Sequence, residues 1–449
     1  MALRNVTIVG GGLAGSLMAY VMGKKGYNVT VTERRNDPRN NRYAGGKSIN
    51  LVVSHRGWTA LEYAGLADQI RPITVPAYGR QIHDLDGAQH FFPYSIKNEP
   101  IHSVSRGGLN IRMVELADEL DNVSFLWNHK CIEIDANTGS STYETPNGNS
   151  QLESDLIIGA DGAFSAVRSQ LTHFPRFNYS QNYIDSGYKE IHIPPAADGS
   201  AQINIEALHI WPRRQFMLMG LANLDNGFTG TVFAPFEGED GLDNMPTAED
   251  GMRYFEKYFP DAIPLIPNLK EQWEDNPTSA LAIIRCEPWH WGSKVMLIGD
   301  AAHATVPFYG EGMNASFEDV RIFAELLDAK GDSDMEALLA EYSAIRKPHG
   351  DAVQDLSVRN FVEMRDLVAD PKFQLRKKIE RKVQALHPDK WTPLYSQVKF
   401  TDIQYADAMA EGERHDRIME DILAIPGIDE KWDNPEIVDL VLEKLATQA

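Results

Sequence analysis

The chain has 449 residues, 43% hydrophobic and 24% charged, with 43 basic against 64 acidic side chains and a formal net charge of −21. That length calls for two or three packed subdomains around a folded soluble core. The acid excess argues against nucleic acid and anionic membranes, whose binding rests on Lys and Arg, and two distant cysteines, Cys131 and Cys286, argue against structural zinc or a disulfide framework.

Met1 to Asn5 run straight into an apolar strand with no secretory leader, and no stretch approaches ~18 apolar residues, so a cytoplasmic protein without a membrane span is expected. Val6 to Val9 form a β-branched strand, Leu13 to Gly23 carry helical periodicity, and Val29 to Thr32 form a second strand. Between the first strand and the helix lies Gly10-Gly11-Gly12-Leu13-Ala14-Gly15, which fits G-x-G-x-x-G, and Glu33 ends the second strand. In that context Gly10 permits the tight turn, Gly12 lets backbone approach a pyrophosphate, and Gly15 allows close helix–strand packing. The helix N-terminus offers N–H groups to phosphates. Glu33 accepts from a ribose diol and repels a 2′-phosphate, so the resident dinucleotide is FAD or NAD.

A helix over Ile111 to Leu120 precedes a strand from Val123 to Leu126, and the buried run Leu156-Ile157-Ile158 ends in Gly159-Ala160-Asp161-Gly162. Gly187 to Ile193, Glu206 to Trp211, Gln215 to Leu221 and Phe228 to Phe233 read as consecutive strands of an antiparallel sheet, with hairpin residues Asn223 to Gly227 before the last. Thr247 to Asp250 make a capping box for a helix to about Phe259. Trp289-His290-Trp291 reads as a packed loop. Lys294 to Ile298 form a strand followed by Gly299-Asp300-Ala301-Ala302-His303, then a helix from Asn314 to Asp328; helices dominate from Ser333, ending in an amphipathic one from Asn434. Asp161 is either a helix cap or a site residue, and His303, with no acid nearby in sequence, reads as a packed histidine rather than a proton shuttle.

Two segments favour FAD. Asp155 to Arg168, D-L-I-I-G-A-D-G-A-F-S-A-V-R, and Val295 to Asn314, V-M-L-I-G-D-A-A-H-A-T-V-P-F-Y-G-E-G-M-N, resemble the second and third fingerprints of class A flavoprotein monooxygenases. The resemblance implies an α/β fold: a Rossmann-like FAD-binding domain of the glutathione-reductase type, an inserted antiparallel-sheet substrate domain and a C-terminal helical region. Residues 1–75, 102–182 and 275–345 would make the FAD-binding part, 76–101 and 183–274 the substrate-side sheet, and 346–449 the helical region. It also implies that Asp300 reaches the flavin ribityl chain and that Gly312, Met313 and Asn314 lie against the ring. Val52, Arg106, Arg34, Cys131 and Asp161 join the cofactor side with Gly10, Gly12, Leu13, Ala14, Gly15 and Glu33.

Further segments narrow the resemblance. Gly46 to Leu51, Ser54 to Gly57, Tyr78-Gly79-Arg80 with Tyr94, Asn360-Phe361-Val362-Glu363-Met364-Arg365, and Leu394 to Phe400 are similar to segments of the kynurenine 3-monooxygenases, covering roughly residues 5 to 410. The similarity implies hydroxylation of L-kynurenine to 3-hydroxy-L-kynurenine with tightly held FAD, transient NADPH and O2. Arg80, Tyr94, Asn360 and Tyr395 would hold the amino-acid end and Phe308 the ring, with no obligatory catalytic residue, no metal, and a monomer or homodimer. One position departs from the family: Glu311 replaces a usual Gln, leaving three placements open, toward solvent, paired with a cation, or protonated. Rival readings are a hydroxylase of an anthranilate or phenolic acid, a flavoprotein reductase, and a ligand-sensing flavoprotein.

Overall fold

The two β-branched runs that flank the glycines build the centre of the molecule. In the structure, a computed structural model describing residues 3–40, 49–95, 97–364 and 370–447, strand Asn5–Val9 lies between Asn28–Glu33 and Leu156–Gly159. Val123–Trp127 and Val295–Leu297 extend this parallel sheet on its two sides. Gly46, Lys47, Ser48 and Arg365, quoted above, lie outside the described residues. Ile8, Val31, Ile157, Ile158 and Val295 are fully buried, as expected where both faces of a parallel sheet are covered. His290–Trp291 is not a loop: it adds an antiparallel edge strand, and Trp291 stacks on Phe174 with ring centres 4.1 Å apart.

The second sheet has seven strands in the order Ser279–Glu287, Asn178–Ile193, Phe228–Pro235, Phe216–Ala222, Ala207–Arg213, Gly79–His83 and Gln89–Pro93. It is antiparallel at every junction but one, because Ala207–Arg213 runs parallel to Gly79–His83, a strand from a separate excursion of the chain. The 16-residue strand Asn178–Ile193 runs across the expected division at residue 182, and Ser279–Glu287 belongs to this sheet although it follows the expected division at 274. Its two faces differ by strand alternation. Ile191, Trp211, Leu218 and Val232 pack under helices Ala248–Tyr258 and Leu269–Asp275, around Phe255 and Trp273. Leu208, Ile210, Met217 and Phe233 point the other way, into a second cluster. Thr247 and Asp250 form the capping box.

Two small three-stranded sheets, Asn50–Val53 with Ile101–Ser105 and Val75–Ala77, and Lys130–Asp135 with Ser140–Thr145 and Gly148–Glu153, complete the strands. Their runs are too short and too polar for periodicity to mark.

Helix Met335–Val362 opens the C-terminal region, followed by Pro371–Leu386, Leu394–Phe400, Tyr405–Leu423 and Pro435–Thr447. It is tied to helix Gly312–Lys330 by a buried ionic cluster. Arg346 binds Glu318 at 2.7 Å and Asp319 at 2.8 Å, and Arg56 binds Glu318 at 3.2 Å. Among the described residues no helix is long and apolar enough to cross a membrane.

Candidate functional site

The carboxyl ends of the parallel strands open onto one cavity of about 670 Å³, where ligands of open α/β sheets sit. Glu33, His129, Asp161 and Asp300, each at or just past the end of a different parallel strand, line it together with Gly10, Gly12, Leu13, Ala14, Arg34, Val52, Arg106, Cys131, Gly312 and Met313. The seven-stranded sheet roofs the same space with Arg80, Leu208, Ile210, Thr231 and Phe233.

The glycine turn is built for close approach. A Cβ on Gly10, whose φ is +108°, would lie 2.5 Å from the Ala160 carbonyl oxygen, and one on Gly15 would lie 1.9 Å from the Gly10 carbonyl oxygen. Gly15 therefore packs helix against strand and does not line the cavity. A Cβ on Gly12 would meet no protein atom within 4 Å, so the room beside it is left for a ligand. Glu33 accepts from Gly11 N at 3.0 Å and from Arg35 Nε at 2.8 Å, which outweigh burial and hold its carboxyl below the usual range. It is ionised and faces the cavity.

Asp161 lines the cavity and bonds the first turn of a helix. Its Oδ2 accepts from Ala166 N at 2.6 Å and Val167 N at 3.3 Å, in the first turn of helix Ala166–Leu171 whose N-cap is Ser165, while its buried Oδ1 has no partner. Burial raises its pKa. An orphaned acceptor on the cavity wall suits a hydroxyl or amide donor from a dinucleotide. Burial, helped by Asp161, pushes the Cys131 thiol up to about 12, so it is a neutral wall and not a nucleophile.

Helix Gly312–Lys330 starts at the cavity and aims its positive end there. Asn314, expected against a flavin ring, is fully buried and does not line the cavity. It ties two segments: its Oδ1 accepts from Ser54 N at 3.1 Å and its Nδ2 donates to Val52 O at 2.9 Å. Of the three placements open to Glu311, the cation pair is the one found. Lys399 Nζ lies 2.6 Å from Oε1, and Tyr405 and Ser54 hydroxyls donate to Oε2 at 2.7 and 3.1 Å. Sequence reasoning missed Lys399 and Tyr405; the lysine lay inside a segment already quoted.

At the opposite end, Arg80, Phe308 and Tyr395 line the cavity. The Arg80 guanidinium sits 4.3 Å from the Tyr395 ring centre, its Nε has no hydrogen-bond partner, and its acidic neighbour Glu363 acts on it from beyond ion-pair distance. Phe308 stacks on Phe361 at 4.3 Å and leans on Phe233 at 4.9 Å. Tyr94 and Asn360 do not line the cavity. Tyr94 stacks behind Tyr395 at 5.5 Å, and Asn360 Nδ2 donates to Phe308 O at 2.7 Å, so each supports a wall residue. Met364 and Tyr309, which lay inside quoted segments without a role assigned, complete this wall.

His303 is buried and packed as expected, stacked on Trp289 with ring centres 4.9 Å apart, but it has an acid partner: Asp319, sixteen positions on, at 2.6 Å from Nε2. His303 does not reach the cavity.

The fold and cavity together define a dinucleotide-binding α/β protein with a second sheet roofing its ligand space. A family model described as FAD binding domain matches residues 4–357. Kynurenine 3-monooxygenase of Christiangramia forsetii is 46% identical over 98% of each chain, and that of Dictyostelium discoideum is 40% identical over 97% of this chain and 96% of its own. Solved structures agree on fold alone. The tetrameric 2-methyl-3-hydroxypyridine-5-carboxylic acid oxygenase has a TM-score of 0.67 at 21% identity, covering 82% of this chain and 94% of its own. p-Nitrophenol 4-monooxygenase from Pseudomonas putida has a TM-score of 0.66 at 19% identity, covering 99% of each. The chain belongs to the FAD-binding-domain family and, within it, to the kynurenine 3-monooxygenases.

Proposed function

We propose that the protein hydroxylates L-kynurenine at the 3-position, using NADPH and O2 with FAD in the cavity. One observation carries the reading: the Arg80 guanidinium, whose Nε has no hydrogen-bond partner and whose acidic neighbour Glu363 acts on it only from beyond ion-pair distance, faces a cavity walled by Phe308, Tyr395 and Met364. An aromatic amino acid supplies both the missing carboxylate and the ring. Arg80 offers a planar fork to that carboxylate, Tyr395 and Tyr94 back it, Asn360 fixes Phe308, and Phe308 packs on the ring.

On the cofactor side, Gly10, Gly12, Leu13, Ala14 and the following helix take the pyrophosphate, and Glu33 with Arg34 the ribose and adenine end. Asp161, Asp300, Arg106, Val52, Cys131, Gly312 and Met313 complete the wall. Gly15 and Asn314 position that wall from behind. When bound, FAD accepts reducing equivalents from NADPH and activates O2. The protein orients the substrate ring and excludes water. Every acid and imidazole on the wall stands at the strand-end loops, away from the Arg80 end. No protein base is needed there, because the aniline nitrogen of kynurenine activates its own ortho carbon. The free, buried thiols Cys131 and Cys286 suit a cytoplasmic location.

The test is NADPH oxidation and oxygen uptake by the FAD-loaded protein with and without L-kynurenine, with 3-hydroxykynurenine identified chromatographically. Stimulation by an anthranilate or phenolic acid instead would reassign the substrate. No coupled product from any aromatic acid would reject hydroxylation.

A further inference from the structure

The Glu311–Lys399 pair joins two segments that face the cavity from different parts of the chain. Both side chains are almost wholly buried, at 0% and 1% exposure. Glu311 lies between Gly310 and Gly312, and Lys399 Nζ also donates to the Gly310 carbonyl oxygen at 3.2 Å. Lys399 sits on helix Leu394–Phe400 four residues after Tyr395, so both project from one face. The Tyr395 ring lies under Arg80 and stacks on Tyr309 with centres 5.7 Å apart. Tyr309 is two residues before Glu311.

This seven-residue helix has no side-chain cap and is too short to persist by propensity. Val398 and Leu394 pack it on helix Tyr405–Leu423, and toward the cavity it is held by the ring at one end and the ion pair at the other. A buried pair tolerates neither partner alone, so it fixes one register strongly. We propose that Glu311 and Lys399 are positioning residues: the pair sets Tyr395, and with it the Arg80 end, in register with the Gly310–Met313 loop, so that ligand binding and the flavin are coupled through it. The inference rests on the reading of the site given above. Such coupling is reciprocal: a ligand that shifts the flavin potential is bound more or less tightly by the same factor when the flavin is reduced.

The test uses the FAD-loaded protein and the double variant Glu311→Gln/Lys399→Met, which removes both charges together and leaves neither orphaned. L-Kynurenine is titrated against flavin absorbance, and the flavin midpoint potential is measured with and without it. Thermal unfolding is followed alongside. The double variant should keep FAD and melt near wild type, yet bind kynurenine about tenfold more weakly, within the range of coupling inside one contact network. It should also lose most of the ligand-induced shift in potential, which a merely structural pair would not affect. Wild-type affinity with an undiminished shift overturns the proposal. If the double variant does not fold, Tyr405→Phe removes only one donor to Glu311 and must move both readouts in the same direction; unchanged readouts overturn it equally. A wild-type flavin spectrum that ignores kynurenine but answers another aromatic acid rejects the substrate reading instead, and that acid then serves as the probe.

Discussion

The guanidinium carbon of Arg80 lies 4.3 Å from the centre of the Tyr395 ring and 5.6 Å from that of Tyr94, so one cation is held against two stacked phenols. The rings hold the charge without neutralising it, leaving the fork for an anion. Truncating one partner of a buried charge pair typically costs about 2–5 kcal/mol, so Arg80→Ala should weaken kynurenine binding about 30- to 3000-fold. FAD content should stay normal, and Arg80→Lys should rescue only in part. Flavin absorbance titrations check this, and near-wild-type affinity in Arg80→Ala would place the carboxylate elsewhere.

Glu33 answers to both Gly11 and Arg35, and the same carboxylate faces the dinucleotide space. Glu33→Ala should weaken FAD retention by about 1–3 kcal/mol, the scale of a lost hydrogen bond to a charged group. Titrating FAD into the apoprotein measures it. Unchanged affinity would mean that the ribose is held by other groups.

Asp319 is fully buried and accepts from His303, Arg346 and Gly299 N, the last at 2.9 Å. Burial alone would raise its pKa, but His303 and Arg346 outweigh that and hold it below the usual carboxylate range. Its stabilising contribution is present above the unfolded carboxyl value and is lost as pH falls through the lower folded one. Asp319→Asn leaves Arg346 under-compensated and should destabilise the protein by about 3–5 kcal/mol in urea unfolding. A loss below 1 kcal/mol would show that the cluster rearranges around the amide.

His209 is buried between His83, at 2.8 Å, and the Asn204 carbonyl oxygen, at 2.7 Å. Burial lowers its pKa from 6.5 to about 4. The unfolded chain then binds more protons across that interval, so stability falls as pH drops from 6.5 toward 4, by about 2–3 kcal/mol for this group. His209→Gln should flatten the slope of denaturant stability against pH in that window. An unchanged slope would assign the titration to other groups, such as His102, which burial also lowers to about 4.

The parallel sheet was legible because four of its five parallel strands are short, largely buried apolar runs that end in or lead into a glycine or an acid at the ligand side, whereas Val123–Trp127 is partly exposed and leads to Asn128 and His129. The roof was half legible. Alternation marked the strands from Gly187 onward, but nothing local shows that Gly79–His83 pairs in parallel with Ala207–Arg213. The site divides the same way. Glycines and strand-end acids carry their chemistry in local context, whereas Tyr94 and Asn360, read from a motif as ligand contacts, stand behind Tyr395 and Phe308. Glu311 could be flagged as anomalous, but its lysine lies 88 positions away and becomes visible only when the chain is folded.

The order of strands in the parallel sheet also bears on how the protein is made. Its first strand, Asn5–Val9, finds one neighbour promptly in Asn28–Glu33, but the other, Leu156–Gly159, only about 150 residues later, and that strand in turn waits for Val295–Leu297. Such distant pairings form slowly. Gly10 and Gly12 therefore leave the ribosome long before the Asp300 and Gly312 walls exist to face them, and Tyr395 follows later still. A nascent chain has no complete cofactor wall until Met313 has been synthesised, and no complete cavity until Tyr395 and Lys399 have followed. FAD can therefore be captured only after the third glycine-rich segment has emerged, and until then the strands that will enclose it are exposed to aggregation.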